Sequence, residues 1–344
     1  GVDTAFEAVV GDPGAPEVLV LLEYDALPGI GHGCGHNVIA AAGLGAGLVA
    51  ASFARDLGGR VRILGTPAEE GGGGKIAMAR NGAFSSGVAA MMIHPADADL
   101  IKMDSIAIHT VDVLYEGKAA HAAAAPWEGR NALDAAVLGY MNIAALRQHI
   151  RPTERIHGII TEGGEKPNIV PRRAAATWYV RSDTISTLQP LKQRVMNCLE
   201  GATSACGCTM SSDWDDHTYA DVRDNMAVVN SFVHNMASLG RLVRDPRTDG
   251  RAVMGSTDMG NVLYLLPSIH PMVKVAPDGV AIHTEDFAYY AGSGSGDEGV
   301  LVGAKTFREQ PASALWHFHE DAHMNFVLHG GVLDRRKGWE TERP

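Results

Sequence analysis

Cys34 and His36 stand one residue apart in the stretch Glu23-Tyr-Asp-Ala-Leu-Pro-Gly-Ile-Gly-His-Gly-Cys-Gly-His-Asn37. Gly33 and Gly35 free the backbone to aim both side chains at one point. A thiolate and an imidazole so aimed suit a borderline-soft transition metal, zinc first. A lone Cys-x-His is more often simply a buried, structural pair, so the decision rests on what recurs downstream. Glu69 and Glu70 follow in Gly65-Thr-Pro-Ala-Glu-Glu-Gly71, and His94 in His94-Pro95. Adjacent glutamates point different ways, so one can ligate a metal while the other faces a substrate. That division suits a metallohydrolase, in which a metal lowers the pKa of water and a free carboxylate takes its proton. The competing reading of the glutamates is a solvated helix start favoured by the dipole. His121, in a Gly- and Ala-rich loop without acidic neighbours, is placed to polarise a carbonyl oxygen rather than to ligate. His283, beside Glu285 and Asp286, serves either as a ligand or in a capping role. A Cys34 nucleophile with His36 as base is the weaker chemistry, because side chains two apart seldom reach each other and no third residue orients them.

These residues need elements to position them. Apolar runs at 18–22, 61–64 and 88–93 alternate with helix-like stretches, the pattern of a doubly wound parallel sheet. The first run is followed by a helix at 38–53, rich in Ala and Leu. Each run leads into candidate ligands, and the carboxyl ends of strands in such sheets are where ligands bind. His94 precedes a proline, which ends its strand. From about residue 111 the texture changes to strands at 111–115, 156–161 and 174–181, with helices at 131–149, capped by Asn131, and 188–199. This reads as an inserted α+β domain. A helix at 225–239, the loop Gly255-Ser-Thr-Asp-Met-Gly260 and a Gly/Ser turn at 292–296 complete the order, with no internal repeat. Cys198, Cys206 and Cys208 read as buried thiols, two of them on a strand.

The 344 residues suffice for two domains and a substantial core. A 46% hydrophobic content fits a globular chain. With Lys plus Arg 29 against Asp plus Glu 40, the net charge is -11 and no basic stripe points to nucleic acid. Four cysteines are too few for a disulfide framework, which favours a cytoplasmic setting. No stretch has the roughly 18–20 uninterrupted apolar residues of a membrane span. The chain begins at Gly1 without methionine and reads as truncated at its start, so the lack of a signal peptide says little about export.

Taken together, the motifs resemble the co-catalytic zinc metallopeptidases of the aminoacylase-1 and carboxypeptidase G type, in the branch carrying Cys-Gly-His. That branch adjoins aminoacylase-1-like dipeptidases and aminobenzoyl-glutamate hydrolases. The matching segments, in family order, are Glu23-Tyr-Asp-Ala-Leu-Pro, Gly33-Cys-Gly-His-Asn37, Pro67-Ala-Glu-Glu-Gly71, His94-Pro95, Gly117-Lys-Ala-Ala-His121, Gly163-Gly-Glu-Lys-Pro-Asn-Ile-Val-Pro171, Gly255-Ser-Thr-Asp258 and His283-Thr-Glu-Asp-Phe287. The resemblance implies an α/β fold: a phosphorylase/hydrolase-like catalytic domain with a mostly parallel central sheet, interrupted by a ferredoxin-like α+β dimerisation or lid domain. The divisions are 1–110, 111–222 for the inserted domain, 223–306, and an atypical tail at 307–344. It implies two divalent metal ions, zinc or alternatively manganese, bridged by Cys34 and completed by His36, Glu70, His94 and His283. Asp25 would orient a ligand from behind, and Glu69 would be the general base. His121 would stabilise the oxyanion in the partner subunit of a homodimer, while Asn168, Ser256 and Thr257 would meet the substrate's carboxylate. The expected reaction is amide hydrolysis of a dipeptide, an N-acyl amino acid or aminobenzoyl-glutamate, without nucleic acid or membrane partners. The alternative is a catalytically impaired homologue acting as a carboxylate-binding or scaffold dimer, suggested by the short start and by a tail holding Trp316, His317, His319 and His323 where the family has an apolar helix.

Overall fold

The computed structural model describes residues 2–248 and 254–320, with 327–328 and 331–332, and side chains at 2–248 and 255–307. The chain opens with β1 (Phe6–Gly11) and β2 (Glu17–Leu22), followed by α1 (His36–Phe53), β3 (Arg60–Gly65), α2 (Gly74–Arg80), β4 (Gly87–Met91), β5 (His94–Ala96) and β6 (Asp104–Ser105). Every residue of β2 is buried, as a strand covered on both faces must be. Val18 and Val20 pack into one core and Leu19 and Leu21 into the other, following the period of two. Full burial of one such side chain contributes about 1.5–3 kcal/mol. The buried stripe of α1 carries Val38, Ala42, Gly43, Ala46, Gly47 and Ala50, small residues that bring the helix close to the sheet. A Cβ on Gly43 would lie 2.2 Å from Leu22 Cδ2. By length and composition α1 alone, among the described residues, could cross a membrane; here it packs between the sheet and the last long helix.

The second unit is β7 (Ala107–Glu116), α3 (Ala132–Leu146), β8 (Arg155–Glu162), β9 (Arg173–Ser182), α4 (Ile185–Ala205) and β10 (Thr209–Trp214). Its four strands lie in the order β10-β7-β9-β8, all antiparallel. This is the ferredoxin-like βαββαβ arrangement, with its own core around Tyr115 and Trp178. Burial alternates along β7 and β9, because one face meets α3 and α4 and the other does not. The chain returns through α5 (Met226–Ser238), β11 (Met254–Gly255), α6 (Met259–Leu263), β12 (Ser268–Ile269), β13 (Met272–Lys274), α7 (Glu285–Ala291) and α8 (Gly294–Glu320). The first sheet has five strands in the order β1-β3-β2-β4-β12. Only β1 runs antiparallel, so the sheet is mostly parallel, as expected.

Some expectations shift. The third apolar run forms β4 only as far as Met91. His94 opens the short β5, which holds Pro95 and pairs with β13, so the proline does not end the strand of His94. Cys206 caps α4 and Cys208 lies in the turn before β10, rather than on a strand, while Cys198 is within α4. All three are only half-buried. The backbone of α8 continues to Glu320, whereas the side chains of Trp316, His317, His319 and His323 lie outside the described residues. Asn131 caps α3 as its residue type predicts, accepting hydrogen bonds from the N–H groups of Leu133 (2.9 Å) and Asp134 (3.3 Å). Replacing this cap, Asn131→Ala, is expected to destabilise the protein by about 1 kcal/mol, read as a lower urea midpoint at unchanged slope.

Candidate metal centre

The ligand types converge beyond the carboxyl ends of the parallel strands. Gly35 takes the left-handed conformation (φ 78°) to begin α1, and a Cβ there would meet Pro95 Cγ at 2.5 Å. The turn puts Cys34 beside His94, with Sγ 3.4 Å from Nε2. His94 Nδ1–H donates to Pro95 O at 2.7 Å, which leaves Nε2 bare toward the thiol. His36, at the first turn of α1, donates from Nδ1 to Asp25 Oδ1 at 3.2 Å. Asp25 Oδ2 accepts the Glu70 N–H at 3.0 Å. One carboxylate thus fixes both the ring of His36 and the loop carrying Glu70, the supporting arrangement common behind metal-bound histidines. His36 Nε2 then faces Glu23 Oε2 (3.4 Å), Glu70 Oε1 (3.8 Å) and Glu69 Oε2 (4.0 Å). His283 arrives from the far end of the chain, its N–H bonded to Gly33 O at 2.8 Å and its Nε2 3.5 Å from Glu70 Oε2. Its φ of 66° is strained for a side chain of this kind, a feature that clusters at functional sites.

Cys34, His36 and His94 offer atoms all within 4.8 Å of one another, as do Cys34, Glu70 and His283, and Cys34 belongs to both groups. His36 Nε2, Glu70 Oε1 and Glu23 Oε2 are buried without a hydrogen-bond partner. An unpaired buried polar group costs about 1–3 kcal/mol, so their convergence fits a cation that would satisfy them together. The donor set of thiolate, imidazole and carboxylate matches a transition-metal site. The electrostatics agree. Burial, then the charges of Glu70, Glu69 and Glu23, push the Cys34 thiol well above its ordinary range. Burial works against a charged His36, yet the Asp25 bond and the Glu23 and Glu69 charges lift it to about 9. Burial drops His94 to about 4, leaving it neutral. Burial, then Glu23 and Asp258, raise Glu69 well above the carboxylate range. A raised thiol is the opposite of what a cysteine nucleophile needs, and His36 Nδ1 is engaged with Asp25.

The other predicted residues lie elsewhere. His121 and Asn168 are exposed in adjoining loops of the second unit, with the Ala122 N–H bonded to Asn168 O at 3.0 Å. His121 Nδ1 accepts from the N–H groups of Ala123 (3.3 Å) and Ala124 (3.2 Å). Ser256 Oγ donates to Ile106 O at 3.1 Å, and buried Thr257 Oγ1 accepts the Met259 N–H at 3.1 Å, so both hydroxyls serve the chain's own loops. Four neighbours carry no assigned role in the sequence analysis: Glu23, Lys75, Asp258 and His270, all buried. Lys75 Nζ donates to Glu23 Oε1 and, at 2.7 Å, to Asp258 Oδ1. Burial favours a neutral Glu23, but the ammonium of Lys75, with His36 and His94, holds it down to about 2. The ring of His270 meets that of His94 edge-on, centroids 5.5 Å apart. His270 was findable: Ile269-His270-Pro271 repeats Ile93-His94-Pro95. Tyr219, on the connector after β10, accepts the Gly73 N–H at 3.1 Å and donates to Glu69 O at 3.3 Å.

A model of peptidase family M20/M25/M40 matches residues 13–309, and the chain belongs to that family of hydrolases. It is 43% identical over 305 residues to the Xaa-Arg dipeptidase of Mus musculus, covering 85% of this chain and 70% of that protein. It is 42% identical over 278 residues to the Xaa-Arg dipeptidase of Homo sapiens, covering 79% of this chain and spanning 64% of that protein's length. Among solved structures it resembles the Bacillus subtilis YXEP protein, a dinuclear metal binding peptidase from the M20 family, at TM-score 0.69 and 17% identity, over 91% of this chain and 85% of the other. The fold and the class of protein are therefore those the motifs implied.

Loading the centre requires Cys34 and His36 to lose protons that the metal-free protein holds at pH 7. Metal uptake at that pH is expected to release about two protons per subunit, counted with a pH indicator in weak buffer. Because His36 is raised to about 9, apparent affinity should strengthen as pH rises toward that value and weaken as it falls.

Proposed function

We propose that this protein is a dinuclear metal-dependent amidohydrolase that cleaves a dipeptide with a free carboxylate and a basic C-terminal residue. The observation that carries the reading is the convergence of Cys34, His36, Glu70, His94 and His283 around one point with Glu69 beside it. Two zinc ions, with manganese as the alternative, would be held by those five residues, with Cys34 shared. When bound, they supply water of lowered pKa and polarise the scissile carbonyl. Glu69, ionised once bound cations offset the surrounding negative charge, takes the proton of the attacking water and delivers it to the leaving amine. Asp25 keeps the ring of His36 aimed. The substrate preference follows the likeness to the Xaa-Arg dipeptidases. A net charge of -11 also favours encounter with a cationic side chain. Asn168 and the Ser256-Thr257 loop are the proposed contacts for the substrate's carboxylate end. The four free thiols suit a reducing cytoplasm.

We also infer a homodimer through the second unit. β8 ends its sheet with an unpaired edge among the described residues. Ile159 on that strand is 65% exposed, and Val137, Leu138 and Met141 are exposed on α3. An open edge flanked by apolar side chains is a template for pairing. In this arrangement His121 acts in the site of the other copy, stabilising the oxyanion there, which accounts for its exposure and local bonding within one chain.

Glu69→Gln is expected to lower dipeptide turnover by about 10²–10⁴-fold while metal content stays at the wild-type level. Retained turnover would sink the general-base role, and an inactive but metal-replete wild type would favour the scaffold alternative. For the dimer, Ile159→Asp should shift the sedimentation coefficient to that of a monomer. Dimers persisting at low micromolar concentration would refute pairing through this edge.

A further inference from the structure

We propose that Lys75 is a positioning residue for the hydrolysis, its buried ammonium clamping Glu23 and Asp258 so that His36 and Glu69 stay in register with the metal ligands. This rests on the metal-dependent reading above. Lys75 is fully buried, an unusual state for a lysine unless it is paired. Its Nζ bonds Glu23 Oε1 and Asp258 Oδ1, and its own backbone N–H donates to Asp258 Oδ2 at 2.8 Å. Three segments distant in sequence meet on one cation: the end of β2, the start of α2 and the loop before α6. Glu23, Glu69 and Asp258 each present an oxygen within 4.8 Å of the others. Three carboxylates that close repel one another, and without a cation among them they would spread apart. Spreading would move Glu69 directly. It would also move His36, because the second oxygen of Glu23, left without a hydrogen-bond partner, lies 3.4 Å from His36 Nε2.

Stability gives little reason for such a lysine, since well-packed apolar groups replace buried ion pairs at small cost or with gain. A fixed positive charge has a second use here. It occupies the place among three carboxylates where a stray cation would otherwise bind, and so leaves the ions to the Cys34 side of the cluster. The reading makes a prediction of sign. If Lys75 were a bystander, removing its positive charge would leave the neighbouring metals equally or more tightly bound. If it positions the ligands, removing it loosens them.

The test uses the full chain stripped with chelator, as wild type, Lys75→Met and the charge-balanced Lys75→Met/Asp258→Asn. Each is titrated with Co²⁺, followed by thiolate-to-cobalt absorption, and then assayed on a basic dipeptide. The expected result for Lys75→Met is a weaker-site Kd raised about 10- to 100-fold, with kcat reduced by a similar factor and KM within about threefold. Cobalt affinity unchanged or tighter, with wild-type kcat, would overturn the proposal. If Lys75→Met does not fold, the charge-balanced variant decides. Loosened cobalt and low kcat in a folded protein support positioning, and wild-type values for both overturn it. A wild type that takes up no cobalt refutes the metal-dependent reading itself. That outcome is distinct from a loaded, active wild type whose variants behave identically, which refutes Lys75 alone.

Discussion

The organising constraint is the gathering of like charge in a buried place. Glu23, Asp25, Glu69, Glu70 and Asp258 lie with Cys34 at one end of the first sheet, and most are shielded from water. Mutual repulsion is strong where solvent screens little. With burial, which is the larger cause, it explains why the thiol and Glu69 resist ionisation. It also explains why His36 holds its proton and why a lysine is drawn fully inside. A folded chain keeps such an arrangement only if cations complete it. The polar atoms that remain unpaired mark where those cations belong.

The scaffold meets the constraint by bringing loops from distant parts of the chain to one rim. Parallel strands deliver their carboxyl ends side by side. β2 leads to Glu23 and Asp25, β3 to Glu69 and Glu70, and β4 to His94, the first residue of β5. Small residues on α1 let the helix that begins at His36 press against the sheet. His283, the candidate ligand furthest along the chain, is fixed by a bond to the backbone beside Cys34, so two distant parts of the chain close on each other.

Much of this was legible because local pattern and tertiary role coincide. The unbroken apolar runs marked doubly covered strands, and the change of texture after residue 111 marked the second unit. Cys34, His36, Glu70 and His94 stood out because each follows an apolar run and sits beside glycine or proline, where a side chain has little structural reason to be Cys, His or Glu. His283 lacks that setting, and its sequence leaves it open between ligand and cap. Lys75 was illegible for the opposite reason: it resembles an ordinary surface charge. Asp258 belonged to a matching segment, but only the fold shows that the two neutralise one another. Glu23 sat in a quoted motif, but its partner was 52 residues away. β10 was missed because its residues are mostly polar, whereas β1 was missed although Phe6, Ala8, Val9 and Val10 are apolar; as an edge strand it leaves most of them exposed. The cysteines near residue 206 were misplaced because a short run of small polar residues reads equally as helix end or strand.

The Tyr219 hydroxyl has a mechanical implication. The connector between β10 and α5 carries the chain from the ferredoxin-like unit back to the first sheet, and Tyr219 is the point where that connector grips the backbone of Glu69 and Gly73. A rotation of one unit against the other that shifts Tyr219 would load this grip. The connector therefore works as a lever arm, with the glutamate loop at its short end. Swings of the outer unit too small to alter any ligand directly would still tilt the peptide that carries the Glu69 side chain. The connector and the glutamate loop are thus joined through one hydroxyl.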